Sequence, residues 1–268
     1  SILDKIINQL LTENMSKKYI IHKYFAFKNE LPWEIPHNLL VKLMLNSCNF
    51  CKSYEDELPQ EIDLVDYNKG FIKDNVIASC SKCLIMRNIY IDFDEINNHL
   101  NPDEFIKACI HIATNHNLIK GKYFPNIFKS GRAEQFLTFK KRMIFNNVPF
   151  KISEEYYLDL ILNKCYICGY QFNSCGLEMI VPRKGYIRDN LRTCCDTCKL
   201  MKSNMNLEDF ITQCKEVAIS FNQILEEDED EVDNLENYPL DYFDEEDAID
   251  LNIFDLDSLV KYGIESFQ

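Results

Sequence analysis

Cysteines are the residues of this 268-residue chain whose type and spacing point most directly to chemistry. Eight of the 12 cysteines form four CxxC pairs, namely Cys48/Cys51, Cys80/Cys83, Cys165/Cys168 and Cys195/Cys198. A two-residue spacing lets both sulfurs of a pair reach the same tetrahedral ion, and Zn²⁺ is the usual occupant of a site made of four thiolates. The pairs therefore predict two structural zinc ions, each bound by four cysteines.

The remaining cysteines leave some alternatives. Cys194 competes with Cys195 for the second site, but it would leave three residues between two ligands, so Cys195 is assigned. Cys109 and Cys214 lie among apolar neighbours and are interpreted as small buried side chains, and Cys175 as a free thiol. Exchanging dithiols would need a thioredoxin-like βαβ context, and a secreted disulfide scaffold is typically shorter than this chain.

An internal repeat organises the elements that must position these cysteines. Three blocks recur in the same order, and the aligned ranges are 31–51 with 148–168, 69–86 with 184–201, and 101–117 with 206–222. Seven of 21 positions are identical in the first block and eight of 18 in the second, so chance similarity is improbable. The chain is interpreted as two copies of one module.

Each copy predicts the element order α-ββ-α, and therefore an α+β fold. Apolar residues at helical spacing, such as Leu39, Leu40 and Leu43, indicate a helix before the first cysteine pair. Gly70 and Gly185 lie in short polar stretches where a tight turn between strands would require positive φ.

Charge separates the body of the chain from its end. The net charge is −14, yet residues 226–268 alone contain 17 Asp and Glu against one Lys, so residues 1–225 are slightly basic. The predicted organisation is an N-terminal helical segment (1–30), a first zinc module (31–117), a basic aromatic connector (118–147), a second zinc module (148–225) and an acidic tail (226–268).

The second copy runs KKRMIFNNVPFKISEEYYLDLILNKCYICG and then GLEMIVPRKGYIRDNLRTCCDTCKLM. With its CxxC knuckle, Gly-Tyr turn, central Asn and closing CxxC, it resembles the HNH endonuclease superfamily, in the variants with a four-cysteine zinc site found in large DNA viruses and phages. The resemblance covers both copies. It implies two tandem treble-clef modules, each holding a ββα-metal core.

The resemblance also identifies the positions that would carry catalysis. Active members use a His on the first strand as general base, and a His or Asn after the last cysteine to hold a divalent ion. The corresponding residues here are Leu64 and Met179 on the strands, and Leu84 and Lys199 after the cysteines. The sequence therefore predicts a nuclease fold with no catalytic residues, against the alternative of an active HNH-type endonuclease with an atypical base.

The central Asn75 and Asn190 are retained, and the resemblance implies that they brace the loop between strand and helix by hydrogen bonds to the backbone. Asp63, Asp66 and Glu178 are alternative oxygen ligands for Mg²⁺, although solvated surface carboxylates are the favoured interpretation.

The connector is the candidate nucleic-acid contact, with DNA favoured over RNA. Its basic residues are Lys120, Lys122, Lys129, Lys140, Lys141, Arg142 and Arg132. Five interleaved aromatic residues could stack on bases. Alternatively, the aromatic residues pack against the modules and the charges only keep the segment solvated.

The acidic tail alternates with apolar residues and has three interpretations: a solvated tail, an arm that docks on a protein partner, or a mimic of nucleic acid that covers the basic segment. The docking arm is favoured because a solvated tail has no need of aromatic residues.

We expect a soluble intracellular protein, in the cytoplasm or nucleus, and in a viral factory or virion if the source is a virus. No run approaches the roughly 18 apolar residues of a membrane span, and the first residues do not resemble a leader peptide. The favoured function is a non-catalytic tandem zinc protein that binds nucleic acid or a nucleic-acid machine, in transcription or genome packaging. A structural or virion-assembly protein that uses the fold as a docking platform is the further alternative.

Overall fold

A computed structural model describes residues 2–54, 59–87, 100–130 and 133–227, with side chains described from residue 13 to residue 221 of these ranges. The chain divides into two compact units. Among the described residues, the first contains 2–49, 53–54, 59–80 and 223–227, and the second contains 50–52, 81–87, 100–130 and 133–222. None of the described helices is both long and apolar enough to cross a membrane.

Among its described residues, the first unit contains two α-helices and a β-hairpin. Helix α1 is Ile2–Lys28, α2 is His37–Met44, β1 is Glu61–Leu64 and β2 is Val76–Ser79. The strands are antiparallel, with Ile62 opposite Ala78. Most of the N-terminal segment predicted to be helical (1–30) lies on α1, and the side chains of residues 2–12 are outside the described ones.

The second unit contains six helices and a second hairpin among its described residues. They are α3 (Ser81–Met86), α4 (Pro102–Asn115), α5 (Phe136–Phe145), α6 (Glu154–Ile161), β3 (Gly176–Met179), β4 (Leu191–Cys194), α7 (Asp196–Lys202) and α8 (Leu207–Glu227). Strands β3 and β4 are antiparallel, with Leu177 opposite Thr193. A mixed fold with two small antiparallel sheets, as predicted from the sequence, is confirmed.

Local sequence sets where the closing helix of each copy begins, which is α4 in the first copy and α8 in the second. The Asn101 side chain accepts a hydrogen bond from the backbone N–H of Glu104, the Glu104 carboxylate accepts one from the Asn101 N–H, and Pro102 occupies the first turn of α4. The aligned Asn206 accepts a hydrogen bond from the Asp209 N–H at 2.8 Å before α8. The same cap therefore starts α4 and α8.

The two hairpin loops are built alike around a glycine. Gly70 has φ of 71° and Gly185 has φ of 72°, as the sequence predicted. A Cβ on Gly185 would lie 2.4 Å from the carbonyl oxygen of Pro149, and one on Gly70 would lie 2.7 Å from that of Pro32. Glycine is thus required both by the backbone angle and by the closeness of the neighbouring chain.

The structural repeat begins one helix earlier than the aligned sequence blocks. After α1 the Leu31 N–H donates to the Ala26 carbonyl at 2.9 Å, and after α5 the Val148 N–H donates to the Met143 carbonyl at 2.9 Å. The intervening turns contain Glu30 and Asn147, each with φ of 55°.

Helix α5 therefore lies within the range expected to be a connector, yet it belongs to the packed body of the second unit. Its Phe136, Phe139 and Met143 join a buried cluster with Tyr157 of α6 and Leu191 of β4. The acidic tail from residue 228 onward lies outside the described residues.

Candidate metal centres

The first cysteine pair of each copy lies in a tight turn. The Cys48 N–H donates to the Ser53 carbonyl at 2.9 Å, and the Cys165 N–H donates to the Tyr170 carbonyl at 3.0 Å. The residue after each pair has positive φ, 58° at Lys52 and 71° at Gly169. This turn brings the two sulfurs of a pair together, which is what a zinc knuckle requires.

The second cysteine pair of each copy lies where a helix begins. Cys80 immediately precedes α3, and Cys195 is the N-cap residue of α7, where its sulfur accepts a hydrogen bond from the Cys198 N–H at 3.5 Å. The first turn of the helix sets the spacing of the pair, because it places Cys83 and Cys198 beside their partners.

The structure brings the eight cysteines together as two clusters of four. Within each cluster the sulfur atoms lie within 4.8 Å of one another, and the Cys168 and Cys195 sulfurs are 3.9 Å apart. A tetrahedral ion with Zn–S bonds of about 2.3 Å would separate its sulfurs by about 3.8 Å. Number, type and spacing of the donors therefore fit zinc at both clusters, with Cys195 rather than Cys194 in the second.

The second cluster is the more deeply buried. All four of its cysteines are buried, whereas Cys51 and Cys80 of the first cluster are half-buried. Hydrogen bonds from Cys168, Cys194, Cys195 and Cys198 lower the pKa of Cys165.

Burial raises the pKa of Cys198, which also hydrogen-bonds to Cys165, Cys168 and Cys195. In a group of buried thiols, the formation of one thiolate is thus favoured and the formation of further thiolates is disfavoured. A divalent cation makes further thiolates favourable by neutralising their charge.

Two further thiols lie close to the second cluster. The Cys194 pKa is raised, first by the hydrogen bond with Cys165 and then by burial. Burial, with the negative charge of Cys165 and Cys168, raises the pKa of Cys175 to about 12. Both side chains are fully buried and hold their protons at neutral pH, so they are not thiolate donors there.

Cys109 and Cys214 are also fully buried, as the sequence predicted. They lie at matched positions on α4 and α8.

The matched asparagines make the same three hydrogen bonds in each copy. Asn75 donates to the carbonyls of Asp66 (2.7 Å) and Gly70 (2.8 Å) and accepts from the Asp66 N–H at 2.9 Å. Asn190 donates to the carbonyls of Val181 (2.9 Å) and Gly185 (2.8 Å) and accepts from the Val181 N–H at 2.8 Å. Each side chain ties together both sides of the loop between the two strands.

Of the three carboxylates, Asp66 is half-buried with a partly exposed side chain, but Asp63 and Glu178 are not solvated surface groups, so that expectation was wrong for these two. Asp63 is fully buried and accepts hydrogen bonds from the Leu64 N–H and the Tyr67 hydroxyl.

Glu178 accepts from the Tyr166 hydroxyl at 2.6 Å and pairs with Lys202 at 2.8 Å. Polar partners therefore satisfy both carboxylates inside the fold, close in the sequence for Asp63 and more distant for Glu178.

The four positions that would carry HNH catalysis have ordinary packing roles or face solvent. Leu64 and Leu84 are buried core residues, Met179 packs against the core of the second unit, and Lys199 is exposed. Neither Leu64 nor Met179 can accept a proton.

The basic side chains of the connector are largely exposed, but three of its aromatic side chains are buried. Lys120, Lys122, Lys129, Lys140, Lys141 and Arg142 are exposed, and Arg132 lies outside the described residues. Phe128, Phe136 and Phe139 are buried and cannot stack on bases, so the alternative that they pack against the module holds for these three. Tyr123 is 60% exposed.

Further exposed cations, which the sequence did not single out, lie on the second hairpin: Arg183, Lys184, Arg188 and Arg192. Arg188 stacks over the Tyr156 ring at 5.1 Å and Arg192 over the Tyr166 ring at 5.2 Å. The sequence did carry a signal for them, since all four cations lie within residues 183–192 of the hairpin.

Fold and sites define an α+β protein with two four-cysteine clusters able to hold zinc. The chain is similar to the uncharacterized protein R423 of Acanthamoeba polyphaga mimivirus, with 27% identity over 207 residues, covering 76% of this chain and 37% of that protein. The chain thus spans little more than a third of the length of that relative. No family model matches the chain. No solved structure matches it either.

Proposed function

We propose that this chain is a non-catalytic zinc protein with two treble-clef, HNH-like modules, and that it binds nucleic acid, with DNA favoured over RNA. Its setting would be a nucleic-acid machine of a large DNA virus, in transcription or genome packaging. Similarity to a mimivirus protein supports a viral origin.

The order of elements around each cluster supports the treble-clef assignment. A knuckle supplies two cysteines, a β-hairpin follows, and the second pair lies at the start of a short helix. Asn75 and Asn190 brace the hairpin loops in the way expected from the HNH resemblance.

The absence of catalysis rests on the residues at the catalytic positions. A buried leucine and a methionine stand where a general base is needed, and the carboxylates beside them, Asp63 and Glu178, already accept hydrogen bonds from tyrosine hydroxyls.

The observation that carries nucleic-acid binding is the concentration of exposed positive charge. Residues 31–117 contain 7 Lys and Arg against 13 Asp and Glu, whereas residues 118–147 contain 7 against one. Phosphate groups would therefore be attracted to the connector and to α5 rather than to the first copy.

The contact of α5 with the second hairpin supports including a second group of cations in this surface. Phe139 of α5 contacts the Tyr186 ring with centroids 4.9 Å apart, and Tyr186 follows the exposed Arg183 and Lys184 in the hairpin loop. The basic side chains of α5 and of this loop would thus form one phosphate-binding surface.

The acidic tail is proposed to dock on a protein partner. Its 17 acidic residues against one Lys repel nucleic acid, and its spaced apolar residues suit a basic surface with apolar pockets.

Fluorescence anisotropy with a short DNA duplex and a single-stranded RNA of equal length, at several salt concentrations, tests this proposal. Lys140→Glu with Lys141→Glu should weaken DNA binding at least tenfold and reduce the salt slope, since each phosphate contact contributes about 0.9 to that slope. Lys23→Glu is the matched control, because Lys23 lies on α1 at the position aligned with Lys140 and is also exposed.

Two outcomes would redirect the assignment. If neither nucleic acid binds in a salt-dependent manner, the structural or assembly function is favoured instead. If plasmid DNA is cleaved with Mg²⁺ or Mn²⁺ and Asn75→Ala or Asn190→Ala abolishes cleavage, the protein is an active endonuclease.

A further inference from the structure

We propose that the two metal centres are coupled by exchanged closing helices. Helix α4 belongs to the first copy of the repeat but holds the knuckle of the second centre, and α8 belongs to the second copy but contacts ligands and knuckle of the first. All the contacts described below lie within the second compact unit.

Side chains of helix α4 form hydrogen bonds to the backbone of the second knuckle, the turn that contains Cys165 and Cys168. The His111 Nε2 lies 2.9 Å from the Cys168 carbonyl oxygen, and the His111 Nδ1 accepts from the Phe124 N–H at 2.8 Å. Because Nδ1 is an acceptor, Nε2 carries the proton and donates to Cys168. His111 is almost fully buried, so this bond is protected from water.

Two more side chains of α4 bind the same turn. His116 Nε2 and Asn115 Nδ2 each donate to the Ile167 carbonyl oxygen at 2.9 Å. Gly169 lies directly against Asn115, since a Cβ there would be 2.5 Å from the Asn115 Oδ1. The helix therefore fixes the peptide groups between Cys165 and Gly169, on which the position of both knuckle sulfurs depends.

Helix α8 makes the reciprocal contact. Gln213 is buried, and its Nε2 donates to the Cys83 sulfur at 3.3 Å. Lys52, at the position aligned with Gly169, lies over the ring of Phe221, at the position aligned with His116, at 5.5 Å. An N–H donor to a metal-bound thiolate stabilises its negative charge and fixes its orientation.

The two helices also contact each other at matched positions. Ala113 and Ala218 are fully buried in one cluster, and Cys109 hydrogen-bonds to Cys214. Such contact between equivalent residues is the pattern of a two-fold interface, here within one chain. A displacement of either helix therefore displaces the other, and with it the groups that contact both metal centres.

The contacts assign His111, Asn115 and His116 as positioning residues of the second centre, and Gln213 as a positioning residue of the first. Partners that orient metal ligands in this way typically change metal affinity by about 10–100-fold when removed. Loss of the second ion would also free the knuckle against which α4 packs, and would thereby loosen α8 and the first centre.

Protein loaded with ¹¹³Cd²⁺ allows the two centres to be followed separately by NMR, with resonances assigned by Cys165→Ser. His111→Ala and Asn115→Ala should speed cadmium loss to a chelator from the second centre about tenfold, and Gln213→Leu should do so at the first. Cys165→Ser should also speed the loss from the first centre. Glu216→Gln, at the exposed position aligned with His111, is the control and should change neither rate.

In this proposal the His111 and Asn115 variants act on the second centre, and the Gln213 variant acts on the first. General destabilisation would instead speed cadmium loss from both centres alike in every variant. If His111→Ala acts on the first centre alone, or on neither, the proposal is overturned. It is also overturned if the first centre keeps its rate when the second is destroyed. Should Cys165→Ser fail to fold, the resonances are assigned with Cys51→Ser and the His111 and Gln213 variants still decide the outcome.

Discussion

Asn190 donates a hydrogen bond of 2.8 Å to the carbonyl oxygen of Gly185, a residue that itself has φ of 72°. The same bond joins Asn75 to Gly70, also at 2.8 Å. Each asparagine thus holds the one turn of its hairpin that only glycine adopts without strain. The hairpin in turn presents the second cysteine pair, so the loop bond supports the metal centre from a distance.

Asn190→Ala should lower the free energy of unfolding by about 3 kcal/mol. The substitution leaves a buried N–H and two carbonyls without their side-chain partner, and each such group costs about 1–3 kcal/mol, partly recovered by relaxation. Urea denaturation of the zinc-loaded protein measures the change. Asn163→Ala, at an exposed position, should change stability by less than about 0.5 kcal/mol. Equal effects of the two substitutions would contradict a bracing role.

Gly185→Ala should destabilise the protein by more than about 2 kcal/mol, because it combines a left-handed backbone angle with a Cβ 2.4 Å from the Pro149 carbonyl oxygen. Thermal denaturation provides the measurement. Gly176→Ala is the comparison, since a Cβ there would approach nothing closer than 3.4 Å. A Gly185→Ala protein as stable as the Gly176→Ala protein would show that the loop can rearrange.

Elemental analysis of purified protein should find two zinc ions per chain. Cys195→Ser should reduce the content to one, whereas the adjacent Cys194→Ser should leave two, because only Cys195 belongs to the cluster of four. A structural zinc ion contributes about 10–16 kcal/mol, so a strong chelator should unfold the protein as seen by circular dichroism. Full helical signal after complete metal removal would refute the structural role of the ions.

The ion pair between Lys18 and Glu61 should make part of the stability depend on pH. Burial raises the pKa of Glu61, but hydrogen bonds from His22 and Lys18 outweigh it and hold the pKa below its ordinary value of 4.5. A carboxyl group with a lowered folded-state pKa stabilises the protein above the unfolded value and loses that effect as pH falls through the folded value.

The wild type should therefore exceed Glu61→Gln in stability by about 1 kcal/mol at pH 6, and the difference should vanish below the folded-state pKa. Urea denaturation of both proteins across pH gives this difference, from which the contribution of zinc cancels. A difference that does not change with pH would mean that Glu61 is not ionised in the pair.

Several features of the fold followed from local sequence. The CxxC spacing and its recurrence in register predicted two four-cysteine clusters, and the structure forms both. Gly70 and Gly185 marked turns with positive φ because few other residues tolerate that angle. Such features could be predicted because they depend on residues a few positions apart.

Other features depended on partners that only folding brings together. The sequence did not show that Glu178 would accept a hydrogen bond from the Tyr166 hydroxyl, or that Phe136 and Phe139 would face inward from an apparent connector. Nor did it show that His111 would reach Cys168 in the other copy of the repeat. A helix has an apolar face whichever surface it covers, so periodicity predicts that α4 packs but not on which module. Packing between distant segments decided that, and with it which residues surround each metal centre.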